Sequence, residues 1–396
     1  MSLAAIVAPA GRATAGFYAA LFMAIGAHMP FWPLWLADWG LSESEVGLYL
    51  GLAIAARVGA GVLAPWFADF TGRRRTALVI LAGVGAAAFL AHSVVATRPA
   101  LLALTLIGAV AMAGCIPIGD ALAAAAARLH GFGYAQMRAV GSAAFLATNL
   151  IAGLAVARFG PDAALVWIVA SLTLLALFSA RHPGGVREDG PRPRLADAFR
   201  LARARPFLYA AVASATLQAA HGPLYAYGSL HWRLLGVSEA TIGALWAAGV
   251  AAEIALMVLI GGWITARLGP WGAFALSGAA GLARWTAMAF EPSLGALWLW
   301  QLTHALTFAP AHLGMIAFVA AAAPARLAAS AQGVIGAGVG GATMAGATFL
   351  SAWIYPLAGA GVFALGVGLS AVGLAAALML RRGWDGAALA FAPASR

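Results

Sequence analysis

The chain has 396 residues, of which 63% are hydrophobic and 9% are charged, whereas about a quarter of the residues in a soluble domain are charged. This composition excludes a soluble enzyme or binding domain and indicates a polytopic membrane protein. Its apolar runs have the length of helices, not the ~10-residue alternation of a transmembrane β-barrel. The single cysteine, Cys115, excludes an intramolecular disulfide, and a zinc site would need several Cys or His ligands.

Twelve apolar runs follow one another along the chain. An α-helix rises about 1.5 Å per residue, so about 20 apolar residues cross the hydrocarbon core of a membrane. We therefore predict an all-α membrane protein with 12 transmembrane helices and without a removable signal peptide. The predicted spans are approximately 15–36, 44–67, 76–96, 100–127, 134–157, 163–180, 207–231, 241–265, 271–290, 294–321, 330–354 and 358–380.

The net charge of +10 comes from 23 arginines, because the chain contains no lysine. With the N-terminus in the cytoplasm, 17 of these arginines lie on the cytoplasmic side, 3 lie on the opposite side and 3 lie within spans. The positive-inside rule therefore predicts cytoplasmic termini for a multi-pass protein of the bacterial inner membrane. The basic character reflects topology in the lipid bilayer and does not indicate a nucleic-acid partner.

An internal repeat relates the two halves of the chain. The segment 40–75 recurs at 236–269, with an offset of 196 residues. At this offset Arg57 matches Glu253, so each copy carries one ionisable residue in the middle of a span, with opposite sign. A charge at that depth is costly and is by default a functional hypothesis. Gly40, Ser42, Glu43 and Gly47 of the first copy all recur at this offset.

The repeat predicts two pseudo-symmetric six-helix bundles. The N-terminal bundle comprises 1–180 and the C-terminal bundle comprises 207–396. Between them, 181–206 is rich in Pro, Gly and Arg, which is typical of a linker. We expect this linker to lie at the cytoplasmic membrane surface.

A charged turn closes the second predicted span. Its acid and arginines suit a conformational latch better than a substrate site, because a contact between Asp69 and an arginine can break as the halves rock. We therefore interpret the turn as a gating loop. Its residues are Asp69, Gly72, Arg73 and Arg74.

Two hairpins place acids and arginines at matching depths. Asp120 lies about ten residues before the turn near Gly131 and Arg138 lies about seven after it, so both are roughly 10–15 Å from the turn. They form either a structural ion pair or a cavity-facing pair, of which we favour the second. Glu253 and Arg284 each lie about 15 residues from a second turn near 269, which predicts a second level pair near the membrane midplane.

Polar residues mark the seventh and tenth spans. Gln218, His221 and Tyr225 share one face of a helix at spacings of three and seven, beside a Gly-Pro break of the kind that discontinuous transporter helices present to ligands. His304, with an acid and an arginine on neighbouring spans, is predicted to be a functional group. Trp32 in the first span either lines a cavity or packs in the core.

The whole chain resembles the major facilitator superfamily in its helix count, its two halves, its central linker and its charged loop. Over nearly its whole length it is similar to the bacterial phenylpropionic acid permease family, in the motifs PFWPLWL, IPIGDALA, MRAVGSAAF, LQAAH and ARW. The resemblance implies a secondary transporter that works by alternating access, with the substrate bound at the interface of the halves.

The charged positions also resemble those of the lactose permease group. The acid and arginine of that group's fourth and fifth helices match Asp120 and Arg138, and its stacking Trp matches Phe145. Its later acid, Arg and His match Glu253, Arg284 and His304. One departure matters, because Thr307 stands where that group has the acid associated with proton coupling. Proton coupling is therefore not implied automatically.

Three arginines and two acids lie within the predicted spans, which leaves one excess positive charge if both acids are ionised. A monocarboxylate therefore fits better than a neutral sugar, with bidentate contact to arginine and aromatic side chains against its body. We predict proton-coupled import of a small aromatic or related carboxylic acid. The proton-coupling candidates are Glu253, Asp120 and His304; the substrate-binding candidates are Arg57, Arg138, Arg284, Trp32, Phe145, Gln218, His221, Tyr225 and Trp285.

Several alternatives stay open. A proton-coupled sugar or glycoside symporter is the nearest, a drug or metabolite exporter is third, and a non-transporting receptor on the same fold is a further possibility. No metal-ligand cluster, nucleotide loop or nucleophile–base arrangement marks the spans, so we expect no cofactor and no enzymatic activity. Nothing in the sequence indicates an oligomer, and we expect a monomer.

Overall fold

The computed structural model describes residues 9–183, 203–324 and 327–389, which contain helices and no strand. The first six helices are α1 (Pro9–Asp38), α2 (Glu43–Thr71), α3 (Arg74–Ala91), α4 (Arg98–His130), α5 (Tyr134–Phe159) and α6 (Asp162–Arg181). The next nine are α7 (Arg205–Ala219), α8 (Ser229–Leu234), α9 (Glu239–Leu259), α10 (Gly261–Ala289), α11 (Leu294–Leu302), α12 (His304–Ala322), α13 (Ala328–Gly333), α14 (Gly341–Ala358) and α15 (Ala364–Gly383).

Short segments of other helix types interrupt this series. The 3₁₀ segments are His92–Val94 and Gly359–Phe363, and the π segments are Leu224–Gly228 and Val334–Gly340. The first π segment directly follows the Gly222-Pro223 break, where proline cannot donate a backbone hydrogen bond and the regular ladder is interrupted.

Nine candidate membrane spans are present within the described residues. The last of them, Ser330–Gly383, covers both of the final two predicted spans, and the predicted seventh span is cut into short pieces by the break and the π segment. The protein is a multi-pass, all-α membrane protein, and the count of 12 helices stays a prediction.

Turns at glycine set the depth of the two hairpins. Gly131 follows α4 with φ 69°, and its N–H donates to the carbonyl of Ala127 at 3.0 Å. Gly269 interrupts α10 with φ 63° and ψ −175°. A positive φ is readily available only to glycine, so these residues allow the turn after α4 and the kink within α10.

The described residues divide into two compact units. Unit 1 contains those within Met1–Ser42, Leu52–Asp189 and Trp232–Ala247. Here α1 packs on α5 and α6, and α3 packs on α4 and α6. A methyl group at Gly119 would overlap the Phe17 ring, so this glycine allows α1 and α4 to approach closely.

Unit 2 contains the described residues within Glu43–Gly51, Gly190–His231 and Ala248–Arg396. In this unit α10 packs on α12 and α15, and α7 packs on α12, α14 and α15. The predicted halves, 1–180 and 207–396, stay a prediction, and most of the predicted linker lies outside the described residues. The buried apolar core of unit 2 includes Phe207, Leu217, Phe274, Phe318, Val319 and Leu380.

The single cysteine lies in the interior of unit 1. Cys115 on α4 is fully buried, and its Sγ donates to the carbonyl of Ala111 at 3.3 Å. It is therefore a packed core residue.

Candidate functional site

An acid and an arginine meet inside unit 1, which we call the unit 1 pair. Arg138 on α5 places its Nε 3.8 Å from Oδ1 of Asp120 on α4, and both side chains are about one third exposed (35% and 32%). Tyr18 on α1 donates its hydroxyl to the same Oδ1 at 2.6 Å. Asp120 therefore accepts a short hydrogen bond from Tyr18, and its ion pair with Arg138 is a single, long contact.

Aromatic rings support the guanidinium of Arg138. Its Cζ lies 4.5 Å from the centroid of the Phe22 ring and 5.4 Å from that of Tyr18, a favourable arrangement for a cation. Its terminal nitrogens, Nη1 and Nη2, make no hydrogen bond to any residue that the structure describes. We call these two free nitrogens the open fork, because their planar geometry matches a carboxylate.

Sequence reasoning did not select Tyr18 and Phe22. They lie four residues apart and therefore on one face of α1. This spacing was the available signal, but it does not distinguish a ligand-facing aromatic pair from the ordinary packing of a membrane helix.

The arginine of unit 2 has a closed environment. Arg284 on α10 is fully buried. Its Nη2 donates to Oε1 of Gln301 at 2.7 Å, and its Nη1 donates to Oγ1 of Thr307 at 3.0 Å and to Nδ1 of His304 at 3.2 Å. All three direct acceptors are neutral, so no carboxylate touches this guanidinium within the described part of the chain.

A histidine connects the two ionisable residues of the predicted second pair. Because Nδ1 of His304 accepts from arginine, its hydrogen must be on Nε2, which lies 3.2 Å from Oε2 of Glu253. Donation thus runs from Arg284 through neutral His304 to Glu253. The residues predicted to be level in the hairpin are joined indirectly, through one imidazole.

The polar stripe of the seventh span meets the same group. His221 is fully buried, with Nε2 3.0 Å from Oγ1 of Thr307 and Nδ1 3.1 Å from the carbonyl of Gln218. The Tyr225 ring stacks on His221 at 5.9 Å. We call the set Glu253, His304, Arg284, Gln301, Thr307 and His221 the unit 2 network.

The other predicted binding residues have contrasting environments. Trp32 is fully buried and stacks on Trp35 at 4.7 Å. Trp285 is also fully buried and Phe145 is 6% exposed, so none of the three offers an open ring face in this conformation. Arg57 is exposed and makes no ion pair with a described residue.

The predicted gating loop is a short turn between two helices. Gly72 has φ 69°, the N–H of Arg73 donates to the carbonyl of Ala68 at 3.2 Å, and α3 begins at Arg74. The side chain of Asp69 lies outside the described part of the structure, so the latch contact stays a prediction.

Comparison with known proteins identifies the family. The profile of the MFS_1 like family matches residues 12–364, most of the chain. This chain belongs to that family. The family is one of membrane transporters for small molecules, so the protein is a transporter and not an enzyme.

Within the residues that the structure describes, no group of three or more His, Cys, Asp or Glu could hold a metal ion.

A curated relative extends the family assignment. The chain is 30% identical over 313 residues to the protein of Escherichia coli (strain K12) named "Probable 3-phenylpropionic acid transporter". The match covers 77% of this chain and 80% of the relative.

Solved structures share the fold of this family. A mutant form of the nucleoside transporter NupG has a TM-score of 0.81 at 16% identity, covering 94% of this chain and 99% of that one. A bacterial homologue of the human lysosomal transporter Spinster has a TM-score of 0.67 at 15% identity, covering 97% and 96%. At these identities the likeness establishes a major facilitator fold and leaves the cargo open.

Proposed function

We propose that this transporter imports a small aromatic or related carboxylic acid, such as 3-phenylpropionate, together with protons and by alternating access. The open fork of Arg138 is the observation that carries this proposal. We further propose that it works as a monomer in the bacterial inner membrane, with both termini in the cytoplasm.

Charge and shape both favour an aromatic monocarboxylate at the open fork. The free Nη1 and Nη2 can bind two carboxylate oxygens in parallel, which fixes the orientation of the ligand. Phe22, whose ring already supports Arg138 and is partly exposed, provides apolar surface for an aromatic body, whereas Tyr18 is fully buried. The name of the Escherichia coli relative is consistent with this substrate class.

Glu253 is our first candidate for the transported proton. Its side chain is 15% exposed and accepts from His304, so a proton on the carboxyl group would weaken the acceptor at the end of the network. Asp120, one third exposed beside Arg138, is the second candidate. His304 passes changes at Glu253 to Arg284 without itself needing to carry charge.

The test is an external pH measurement on de-energised cells in a weakly buffered suspension. We expect addition of 3-phenylpropionate to make the medium more alkaline as protons enter with the substrate, and lactose to have no effect. Vector-only cells control for passive entry of the undissociated acid.

Two variants assign the proton. Glu253→Gln should abolish proton-driven uptake while leaving exchange of labelled 3-phenylpropionate intact, and Glu239→Gln at the start of the same helix is the matched control. Unchanged alkalinisation in Glu253→Gln would show that another group carries the transported proton. No response to 3-phenylpropionate in wild-type cells would contradict the proposed substrate.

A sugar or glycoside symporter is the second candidate, because Asp120, Arg138, Glu253, Arg284 and His304 match the charged positions of the lactose permease group. Alkalinisation with lactose and not with 3-phenylpropionate would favour it. Export of a drug or metabolite would instead give cells tolerance to the compound.

A further inference from the structure

The hydroxyl group of Thr307 lies at the centre of three polar contacts. Its Oγ1 is 3.0 Å from Nη1 of Arg284, 3.0 Å from Nε2 of His221 and 3.1 Å from the carbonyl oxygen of His304. Arginine can only donate, so Thr307 accepts from Arg284. The one hydroxyl hydrogen is left with two acceptors, the imidazole nitrogen and the carbonyl.

The hydrogen bond of the other ring nitrogen of His221 determines which acceptor takes the hydroxyl hydrogen of Thr307. Its Nδ1 lies 3.1 Å from the carbonyl of Gln218, and a carbonyl requires a donor, so Nδ1 carries a hydrogen. In neutral His221, Nε2 is therefore an acceptor and takes the hydrogen of Thr307. In protonated His221, Nε2 donates to Thr307, whose hydrogen turns to the carbonyl of His304. The protonated state keeps the three contacts of the neutral state, with the direction between His221 and Thr307 reversed, and adds the bond from Thr307 to the carbonyl of His304, without movement of any heavy atom.

We propose that His221 is a proton-accepting group of the transport cycle and that Thr307 is the positioning residue that links its charge to Arg284. The proposal rests on the proposed function, because it concerns how protons accompany a carboxylate. A protonated His221 and Arg284 would both donate to one oxygen, which places two cations side by side in a buried region. Such a state is favourable only when a negative charge is close, so we expect an anion that reaches the unit 2 network to favour protonation of His221.

The surroundings of His221 contain few other charges. Arg284 faces it from α10, His304 faces it from α12 with ring centroids 5.1 Å apart, and Tyr225 faces it from its own segment. Glu253 lies one residue further, beyond His304. The segment from Val334 to the end of α14 contains no Asp, Glu, Lys or Arg, and the arginines of α15 lie in its last turn.

The first experiment needs no substrate. Full-length protein with ¹⁵N-labelled histidine is titrated in detergent by NMR, and the His221 signal is assigned by its loss in His221→Gln. In wild-type protein we expect the neutral form with hydrogen on Nδ1. In Arg284→Gln and Arg284→Met, which remove the opposing cation, we expect His221 to take up a proton more readily than in wild-type protein.

Thr307 variants in the Arg284→Gln background separate positioning from burial. Thr307→Val leaves a charged N–H without an acceptor, so proton affinity should fall about tenfold or more, whereas Thr307→Ser should retain it. Failure of His221 to titrate in both Arg284 variants would overturn the proposal. Equal proton affinities in Thr307→Val and Thr307→Ser would overturn it as well.

The second experiment adds 3-phenylpropionate to otherwise wild-type protein in weak buffer with a pH indicator. We expect proton uptake on binding, retained in Thr307→Ser and shifted by about one pH unit towards acid in Thr307→Val. Binding without Thr307-dependent proton uptake would overturn the coupling role. If 3-phenylpropionate does not bind while the NMR titration depends on Thr307, the proposed substrate fails and the His221 switch stands.

Discussion

Arg138 in unit 1 and Arg284 in unit 2 have contrasting surroundings. The Arg138 side chain is 35% exposed, with one contact of 3.8 Å to an acid and an open fork, whereas Arg284 is 0% exposed, with three hydrogen bonds of 3.2 Å or less to neutral groups. A guanidinium with spare donors can bind a ligand directly. One with its terminal donors engaged can respond only through its neighbours. From this contrast we expect Arg138 to contact the ligand and Arg284 to take part in charge coupling.

The largest effect should come from replacing the open fork. Arg138→Lys keeps the charge but loses the planar pair of donors, so the binding affinity for 3-phenylpropionate should fall by about 2–3 kcal/mol, roughly 30- to 150-fold. Isothermal titration in detergent measures this. The matched control is Arg158→Lys on the same helix, whose guanidinium also rests on a ring, Phe159, at 5.4 Å.

An equal loss in Arg158→Lys would remove the special role of the open fork. Retained affinity in Arg138→Lys would show that a point charge is sufficient, and it would return Arg57 and Arg284 to consideration as carboxylate ligands.

The contacts of Arg284 should contribute more to stability than the pair of Asp120 and Arg138. Gln301→Leu removes the 2.7 Å acceptor of Arg284 and leaves a charged, buried donor unpaired, which should destabilise unit 2 by about 2 kcal/mol. Asp120→Asn, which alters only a partly exposed pair, should change stability by less than about 1 kcal/mol. Thermal unfolding in detergent compares the two variants. A larger loss in Asp120→Asn would reverse the comparison.

Tyr18 should limit the contact between Asp120 and the open fork of Arg138. Tyr18→Phe removes the 2.6 Å bond to Asp120, so the acid becomes free to bind Arg138 more closely and compete with the ligand. We expect the affinity for 3-phenylpropionate to fall about fivefold, which corresponds to about 1 kcal/mol. Asp120→Asn in the same background should restore it. Unchanged or tighter binding in Tyr18→Phe would show that tyrosine does not hold the acid away.

His182 shows that unit 1 also contains a closed polar group. It follows α6, it is 1% exposed, and its Nε2 lies 3.2 Å from Oγ1 of Thr14. Burial, with Arg75 and His130 nearby, lowers the pKa of His182 to about 4. The unfolded chain therefore binds more protons than the folded chain between its ordinary pKa of about 6.5 and that value.

Stability should consequently fall as the pH decreases through this window. Between about pH 7 and 5.5 the loss from His182 should be about 1 kcal/mol. Thermal unfolding of wild type and His182→Asn at the two pH values measures it, and the pH dependence should be smaller in the variant. Identical pH dependence in both proteins would assign the effect to other groups.

The sequence predicted the charged frame of the site better than its neutral parts. Counting residues from a glycine turn was enough to predict that Asp120 lies near Arg138. The rise per residue of a helix is fixed, and a charge inside a membrane span is more stable beside a charge of opposite sign. The same arithmetic put Glu253 level with Arg284. It could not show that an imidazole stands between them, since that depends on how α10 and α12 pack.

Neutral and aromatic members of the site were harder to predict. Thr307 and Gln301 bind Arg284, yet Thr and Gln in a span carry no signal that separates a ligand of arginine from a helix-backbone contact. Trp32 and Trp285 were expected near substrate but are fully buried, because large aromatic rings satisfy packing as readily as binding. The break beside His221 was predictable, since Gly222-Pro223 interrupts any regular helix.

Because Cys115 is buried, the natural chain should not react with thiol reagents. Its sulfur is enclosed on α4 and already donates to a backbone carbonyl, so a maleimide added to the folded protein should leave it unmodified. A cysteine introduced at an exposed position, for example Arg158→Cys, would then be the only reactive site. Fluorescent or spin probes can therefore follow each unit through its working cycle in an otherwise native sequence, without first removing any residue from the core.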